Sequence, residues 1–246
     1  MVDKIKTGIK GLDEITNGGF RRNMSILLTG SPGTGKTITA LQFLYAGAKD
    51  FKENGLFIST EENLDDIRGY AKDLGMDLDK YEKKGSLILY EKSVSTLKGG
   101  IVSIDGLLGL IKKNKIKRIA LDSIIFFEYM YSKDSDNRME FRRQVIMFLQ
   151  QIKKAGVTFL TIAERSVTDL DRLEYDLLDF IFDAIILVTR ARRGAYFERL
   201  ISVIKVRGQE HNLDVYPLKI GAGGITILTD QTPFSLVQNG ESKNKI

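Results

Sequence analysis

The sequence predicts an α/β fold, a mainly parallel sheet flanked by helices with a C-terminal antiparallel β extension, and two observations carry that reading. From Met24 to about Leu160, short apolar runs rich in β-branched residues alternate with longer amphipathic stretches, the pattern of a parallel sheet wrapped by helices. From Asp183 onward the apolar runs follow one another through Gly-containing turns, the pattern of strands joined as hairpins.

Taken in order, Ser25–Thr29 is an apolar run stopped by a glycine-rich stretch, and Thr37–Phe51 is an amphipathic segment of helical length. Strand Leu56–Thr60, helix Asn63–Leu74 and strand Leu87–Tyr90 repeat the alternation, as do helix Ser103–Lys113, strand Arg118–Leu121, helix Arg138–Ala155 and strand Val157–Ile162. Their near-continuous apolar character predicts strands covered on both faces. The extension is read as strands Ala184–Thr189, Leu200–Val206, Val215–Ile220 and Ile225–Leu228, with turns at Arg192-Arg193-Gly194 and Gly221–Gly224. No solenoid repeat and no Pro/Ser-rich linker divides the chain, so one domain is expected over residues 1–238, followed by a polar, disordered tail over 239–246.

Composition narrows the chemistry. The 246 residues carry 37 Lys and Arg against 32 Asp and Glu, a net charge of +5, with 43% hydrophobic and 28% charged residues, close to ordinary folded proteins. The longest apolar runs, Ile181–Val188 (broken by Asp183) and Ile124–Phe127, are far short of the ~20 residues that cross a bilayer. Met1–Lys6 has no apolar core behind its charges, so no secretory signal and a cytoplasmic location are expected. Zero cysteines exclude disulfides and thiolate chemistry, and a single histidine, His211, excludes multi-histidine metal centres.

The sharpest motif is Gly30-Ser31-Pro32-Gly33-Thr34-Gly35-Lys36-Thr37, GxxxxGK[ST] between a predicted strand and a predicted helix. Its glycines let consecutive N–H groups turn inward as an anion nest, and the helix that follows adds its positive end. Lys36 can reach β- and γ-phosphates, the Thr37 hydroxyl can bind Mg²⁺, and Ile38 follows in the first helical turn. Ile119-Ala120-Leu121-Asp122 is an apolar strand ending in a carboxylate, so Asp122 is a candidate Mg²⁺ partner; a helix N-cap is the alternative. Leu56–Thr60 delivers Glu61 and Glu62 to the same carboxyl edge, where one could serve as the base; first-turn acids on a helix dipole are their alternative. Lys205 and Arg207, two residues apart, read by themselves as outward side chains on one strand face.

With these residues in place the chain resembles the KaiC-like family of RecA-fold ATPases. The resemblance rests on Thr7–Ile15, Gly18-Gly19-Phe20, the phosphate motif, Ala40–Tyr45, Glu61-Glu62, Asp122-Ser123, Glu164-Arg165 and Lys205–His211, in the same order over about residues 4 to 230. It implies a RecA-like P-loop core in which an extra strand separates the phosphate-loop strand from the Asp122 strand. It also implies a homo-oligomer, usually a hexameric ring, with ATP and Mg²⁺ held between neighbouring subunits. Lys205, Val206 and Arg207 would then meet the next subunit's nucleotide, with the two cations at its γ-phosphate, and His211 would lie near the ribose. In the autophosphorylating domain of the two-domain clock proteins, adjacent Ser and Thr occupy the place of Asp179-Phe180 here, so a phosphorylation clock of that design is not expected.

Two rival functions remain open on sequence. A recombinase-type DNA-repair protein would use Arg190, Arg192, Arg193 and Arg199, interleaved with Tyr196 and Phe197, to grip phosphates; nucleic acid is the less favoured partner. An ATP-sensing accessory module of a larger machine would dock a protein partner, with Phe126–Tyr131 as the candidate surface or, alternatively, as core.

Overall fold

The structure, a computed structural model, describes residues 3–91, 103–124, 127, 138–165 and 177–234. Nine strands form one continuous sheet: β3 (Ser25–Gly30), β4 (Asn54–Ser59), β5 (Leu87–Glu91), β6 (Ile116–Asp122), β7 (Thr158–Glu164), β8 (Ala184–Arg193), β9 (Tyr196–Val206), β10 (Val215–Gly221) and β11 (Gly224–Ile227). A separate two-stranded clip, β1 (Lys4–Ile5) with β2 (Phe20–Arg21), precedes them. The order across the large sheet is β11-β10-β9-β8-β3-β7-β6-β4-β5. Strands β8 through β5 in that order run parallel, and β9, β10 and β11 add antiparallel pairings. Strand β7 stands between β3 and β6, the separating strand that the resemblance implies.

The helices are α1 (Leu12–Ile15), α2 (Lys36–Asp50), α3 (Leu64–Asp73), α4 (Leu78–Lys83), α5 (Ile104–Asn114) and α6 (Arg138–Lys154). Successive strand residues point to opposite faces, so Ile26 and Leu28 pack with Phe43 and Leu44 of α2, while Leu27 packs with Val145 and Phe148 of α6. Burial on both faces explains why β3 carries an unbroken apolar run from Ile26 to Leu28. Three helices open with side-chain caps: Asn63 accepts from Asp65 N–H, Asp77 from Lys80 N–H and Ser103 from Gly106 N–H. Helix α2 opens instead from Gly35, in the left-handed region with φ 99°, with no side-chain cap.

The main differences from the sequence reading lie at ends and in short pieces. The β8–β9 hairpin runs through Arg193 and turns at Gly194-Ala195, and the last hairpin turns at Ala222-Gly223. Ten cross-strand pairs carry the first hairpin outward past its apolar stretch, so hydrophobicity alone stops too early. The clip, α1, α4 and a 3₁₀ turn at Leu177–Phe180 are too short for a periodic signal. The tail over 239–246 and most of Phe126–Tyr131 lie outside the described residues; Phe127 is fully buried against Phe148 and Phe159.

One core residue is a cation. Arg118 on β6 is fully buried and donates from Nε to Glu53 (2.7 Å), from Nη1 to the Phe43 carbonyl (2.8 Å) and from Nη2 to the Lys6 carbonyl (2.8 Å). Phe43 and Phe51 place their rings 4.7 and 5.2 Å from its guanidinium carbon. Gly47 makes the space: a Cβ there would lie 2.6 Å from Arg118 Nε.

Candidate active site

The parallel register aligns the carboxyl ends of four strands, pairing Gly30 with Glu164 and Ser59 with Asp122. A cavity of about 730 Å³ opens at this edge, where open α/β sheets hold their ligands. The segment from Gly30 to Thr37 runs beneath it, with Lys36 among its lining residues. Gly30 admits no side chain, since a Cβ would sit 1.8 Å from the Val188 carbonyl oxygen; Gly33 holds φ 73°. The Thr34 hydroxyl donates to the Ser31 carbonyl (2.8 Å), and Lys36 Nζ donates to the carbonyls of Gly30 and Ser31 (3.0 Å each). Burial lowers the Lys36 pKa, opposed by the charges of Glu164, Asp122 and Glu61. Pro32, Gly33, Gly35, Thr37 and Ile38 complete the near wall.

Facing this loop, the Thr37 hydroxyl donates to Asp122 Oδ2 at 2.7 Å. Burial pushes the Asp122 carboxyl up to about 6; the Thr37 hydrogen bond pulls the other way, and the charges of Glu62 and Glu61 add to the rise. The Ser123 hydroxyl donates to Glu61 (3.0 Å), and the Tyr70 hydroxyl donates to Glu62 (3.0 Å). Burial, then the Glu62 charge, raises the Tyr70 phenol well above its ordinary range. Neither glutamate belongs to a helical first turn: Asn63 caps α3, whose first-turn acids are Asp65 and Asp66. Both line the cavity instead.

The other candidates lie elsewhere. On β9, Lys205 pairs with Ile185 and Val206 with Ala184, level with Ile26 at the start of β3. That is four residues before Gly30, or ~13 Å along the strand at about 3.3 Å per residue. Lys205 Nζ donates to the carbonyls of Asp179 and Phe182 (2.7 Å each), and Arg207 Nη2 donates to that of Phe180. Val206 is buried in the core, and half-buried His211 sits by Gln209. None of the four lines the phosphate-loop cavity; Arg207 lines a second one of about 280 Å³ at the amino edge.

Sequence reasoning missed Tyr70, Leu74 and Ile220 as cavity walls, and assigned Arg199 only to a basic stretch. Arg199 Nε reaches the Gly33 carbonyl (3.4 Å), and its cross-strand partner Arg190 stands over the Phe197 ring at 5.8 Å. Register parity from the β8–β9 turn is the signal that would have found this pair.

The donor set fits a triphosphate and Mg²⁺. Three glycines, an uncapped helix start and one buried lysine suit an anion. A hydroxyl and a carboxylate 2.7 Å apart suit a cation that takes one or two protein ligands, phosphate oxygens and water. Among the described residues there is no cluster of three acidic or imidazole groups that would hold a metal unaided.

Sheet order and site together define a P-loop nucleotide-binding protein of RecA-like fold. Comparison with known proteins then narrows the class. A family model described as "ATPase: KaiC" matches residues 5–232, and the chain belongs to that family. It is similar to the circadian clock oscillator protein KaiC of Prochlorococcus marinus subsp. pastoris (33% identical over 236 residues) and of Parasynechococcus marenigrum (31% over 235), each alignment covering 92% of this chain and 45% of the relative. The chain thus spans about half the length of the curated relatives it matches. Among solved structures, a KaiC-like protein from the hyperthermophilic archaeon Pyrococcus horikoshii OT3 is similar at TM-score 0.75 and 29% identity, covering 93% of this chain and 100% of that one.

Proposed function

We propose that this KaiC-family ATPase is a Mg²⁺-dependent enzyme acting as an oligomeric regulatory or scaffolding switch, with ATP held between neighbouring subunits of a ring, usually a hexamer. The observation that carries the reading is the division of parts: phosphate loop, Asp122 and Glu61-Glu62 on one sheet edge, Lys205 and Arg207 on the other. A site split in this way is completed by a second copy. The loop N–H groups and Lys36 bind the β- and γ-phosphates; Thr37 and Asp122 would hold Mg²⁺, which when bound would supply neutralising charge to the phosphate oxygens. Glu61 or Glu62 orients the attacking water and accepts its proton. Lys205 and Arg207 of the adjoining subunit stabilise the charge of the transferring phosphoryl group.

Lys36→Ala should abolish ATP binding, whereas Glu61→Gln combined with Glu62→Gln should keep binding and lose turnover. Hydrolysis at the parent rate in the double variant overturns the base assignment. Arg207→Ala should lower turnover by about 10³-fold, and added subunits with intact Arg207 but dead carboxylates should restore part of it.

The ATP-sensing accessory reading uses the same site, and a turnover number near zero would favour it. For the nucleic-acid reading, Tyr196 and Phe197 are 64% and 67% exposed, but Arg190 and Arg199 are committed to Phe197 and the phosphate loop.

A further inference from the structure

A continuous set of polar contacts joins the two edges inside one chain. Arg165, just after β7, donates its N–H to the Gly30 carbonyl (3.1 Å) and accepts at its own carbonyl from the Ser31 hydroxyl (3.3 Å). Its side chain leaves the phosphate loop: Nη2 lies 2.6 and 2.5 Å from the two carboxylate oxygens of Asp179. Asp179 is 2% exposed. The backbone that follows is the cradle of the two cations, since the Asp179 and Phe182 carbonyls hold Lys205 and the Phe180 carbonyl holds Arg207.

We propose that Arg165 and Asp179 are positioning residues for Lys205 and Arg207, tying the carbonyl cradle that aims the two cations to the chain's own phosphate loop. The proposal rests on the reading that those cations serve the neighbour's nucleotide. A largely buried ion pair resists separation, because parting it strands a charge away from water. Movement of the loop backbone at Gly30 and Ser31 is therefore passed to the segment that fixes Lys205 and Arg207. A subunit whose loop grips phosphate thus presents its cations to the next site, and neighbouring turnovers are coupled.

The test is subunit mixing with Arg165→Met. Alone, this variant should bind a fluorescent ATP analogue within about twofold of the parent while its kcat falls about tenfold. Mixed with Glu61→Gln/Glu62→Gln subunits, which keep the link and the cations, it should regain turnover. Added to Arg207→Ala, Arg165→Met should lower kcat no further, because both remove one function. Weakened analogue binding without rescue would mean that Arg165 only braces its own loop, and overturns the proposal. Rescue of Arg207→Ala but not of Arg165→Met overturns the link while leaving the shared site standing. Failure to rescue Arg207→Ala removes the shared site and the link together. If Arg165→Met loses its cooperative melting transition, Asp179→Asn, which keeps the side chain's size, takes its place in every measurement.

Discussion

Asp122 is a largely buried carboxylate at the carboxyl edge of the sheet, held by the Thr37 hydroxyl. Its folded-state value of about 6 stands above the ordinary 3.8 because burial penalises the charge. The sign follows: its contribution to stability is fully present below the unfolded value and is lost as pH rises through about 6. Asp122→Asn, in magnesium-free buffer, is expected to stabilise the chain by on the order of 1–3 kcal/mol at pH 8, with the gain vanishing near pH 4. Paired melting curves of parent and variant across that range check it; a gain of equal size at both pH values contradicts it. In the presence of Mg²⁺ the fall of turnover at acid pH should lie below that metal-free value, because a bound cation favours the ionised carboxylate. Asp122 was legible because an apolar run ending in an acid is informative in itself. Arg118 was not, since a cation at a strand start reads as a surface residue until Glu53, Phe43 and Gly47 come together from elsewhere in the chain. Arg118→Met should cost about 3 kcal/mol by leaving Glu53 with a diminished partnership, and adding Glu53→Gln should recover part of it; chemical denaturation of both variants tests this.

Among the elements, β3, the loop after it and α2 behave as one device. Gly30 lets the chain pass the Val188 carbonyl, and Gly35 starts α2 without a cap. Alanine at position 30 is expected to destabilise by about 3 kcal/mol or more, because backbone rather than a movable side chain occupies the space. A urea midpoint unchanged from the parent would refute that. The parallel strands and their helices were readable because each is long and apolar enough for a periodic signal. The β1–β2 clip, α4 and the outer half of the β8–β9 hairpin were not. The clip is set by pairing Lys4 with Arg21, well apart in sequence, the outer hairpin by the turn that sets Arg192 against Phe197, and α4 is too short for a periodic signal.

For the whole molecule, the place of β7 in the strand order was legible only with the resemblance in hand, since alternating runs specify a parallel sheet but not that β7 lies between β3 and β6. The site followed the same rule. Motif residues that share an edge were grouped correctly from local sequence, whereas the placement of Lys205 and Arg207 required the register of β9 on β8. Size-exclusion chromatography should show a larger species with Mg·ATP than without nucleotide. Loss of that shift in Lys36→Ala, with folding intact, would tie assembly to phosphate binding.

If the site is shared between copies as proposed, opposite edges also set how activity counts with copy number. An isologous pair that buries the same face on both copies cannot set a loop edge against a cation edge with one operator; a head-to-tail joint can. In an open row every joint completes one site, so the terminal loop at one end and the terminal cations at the other stay idle. Only closure employs every copy. Specific activity should therefore climb with the number of joints per chain and level off when the row becomes a circle, making the reaction rate itself a gauge of ring closure.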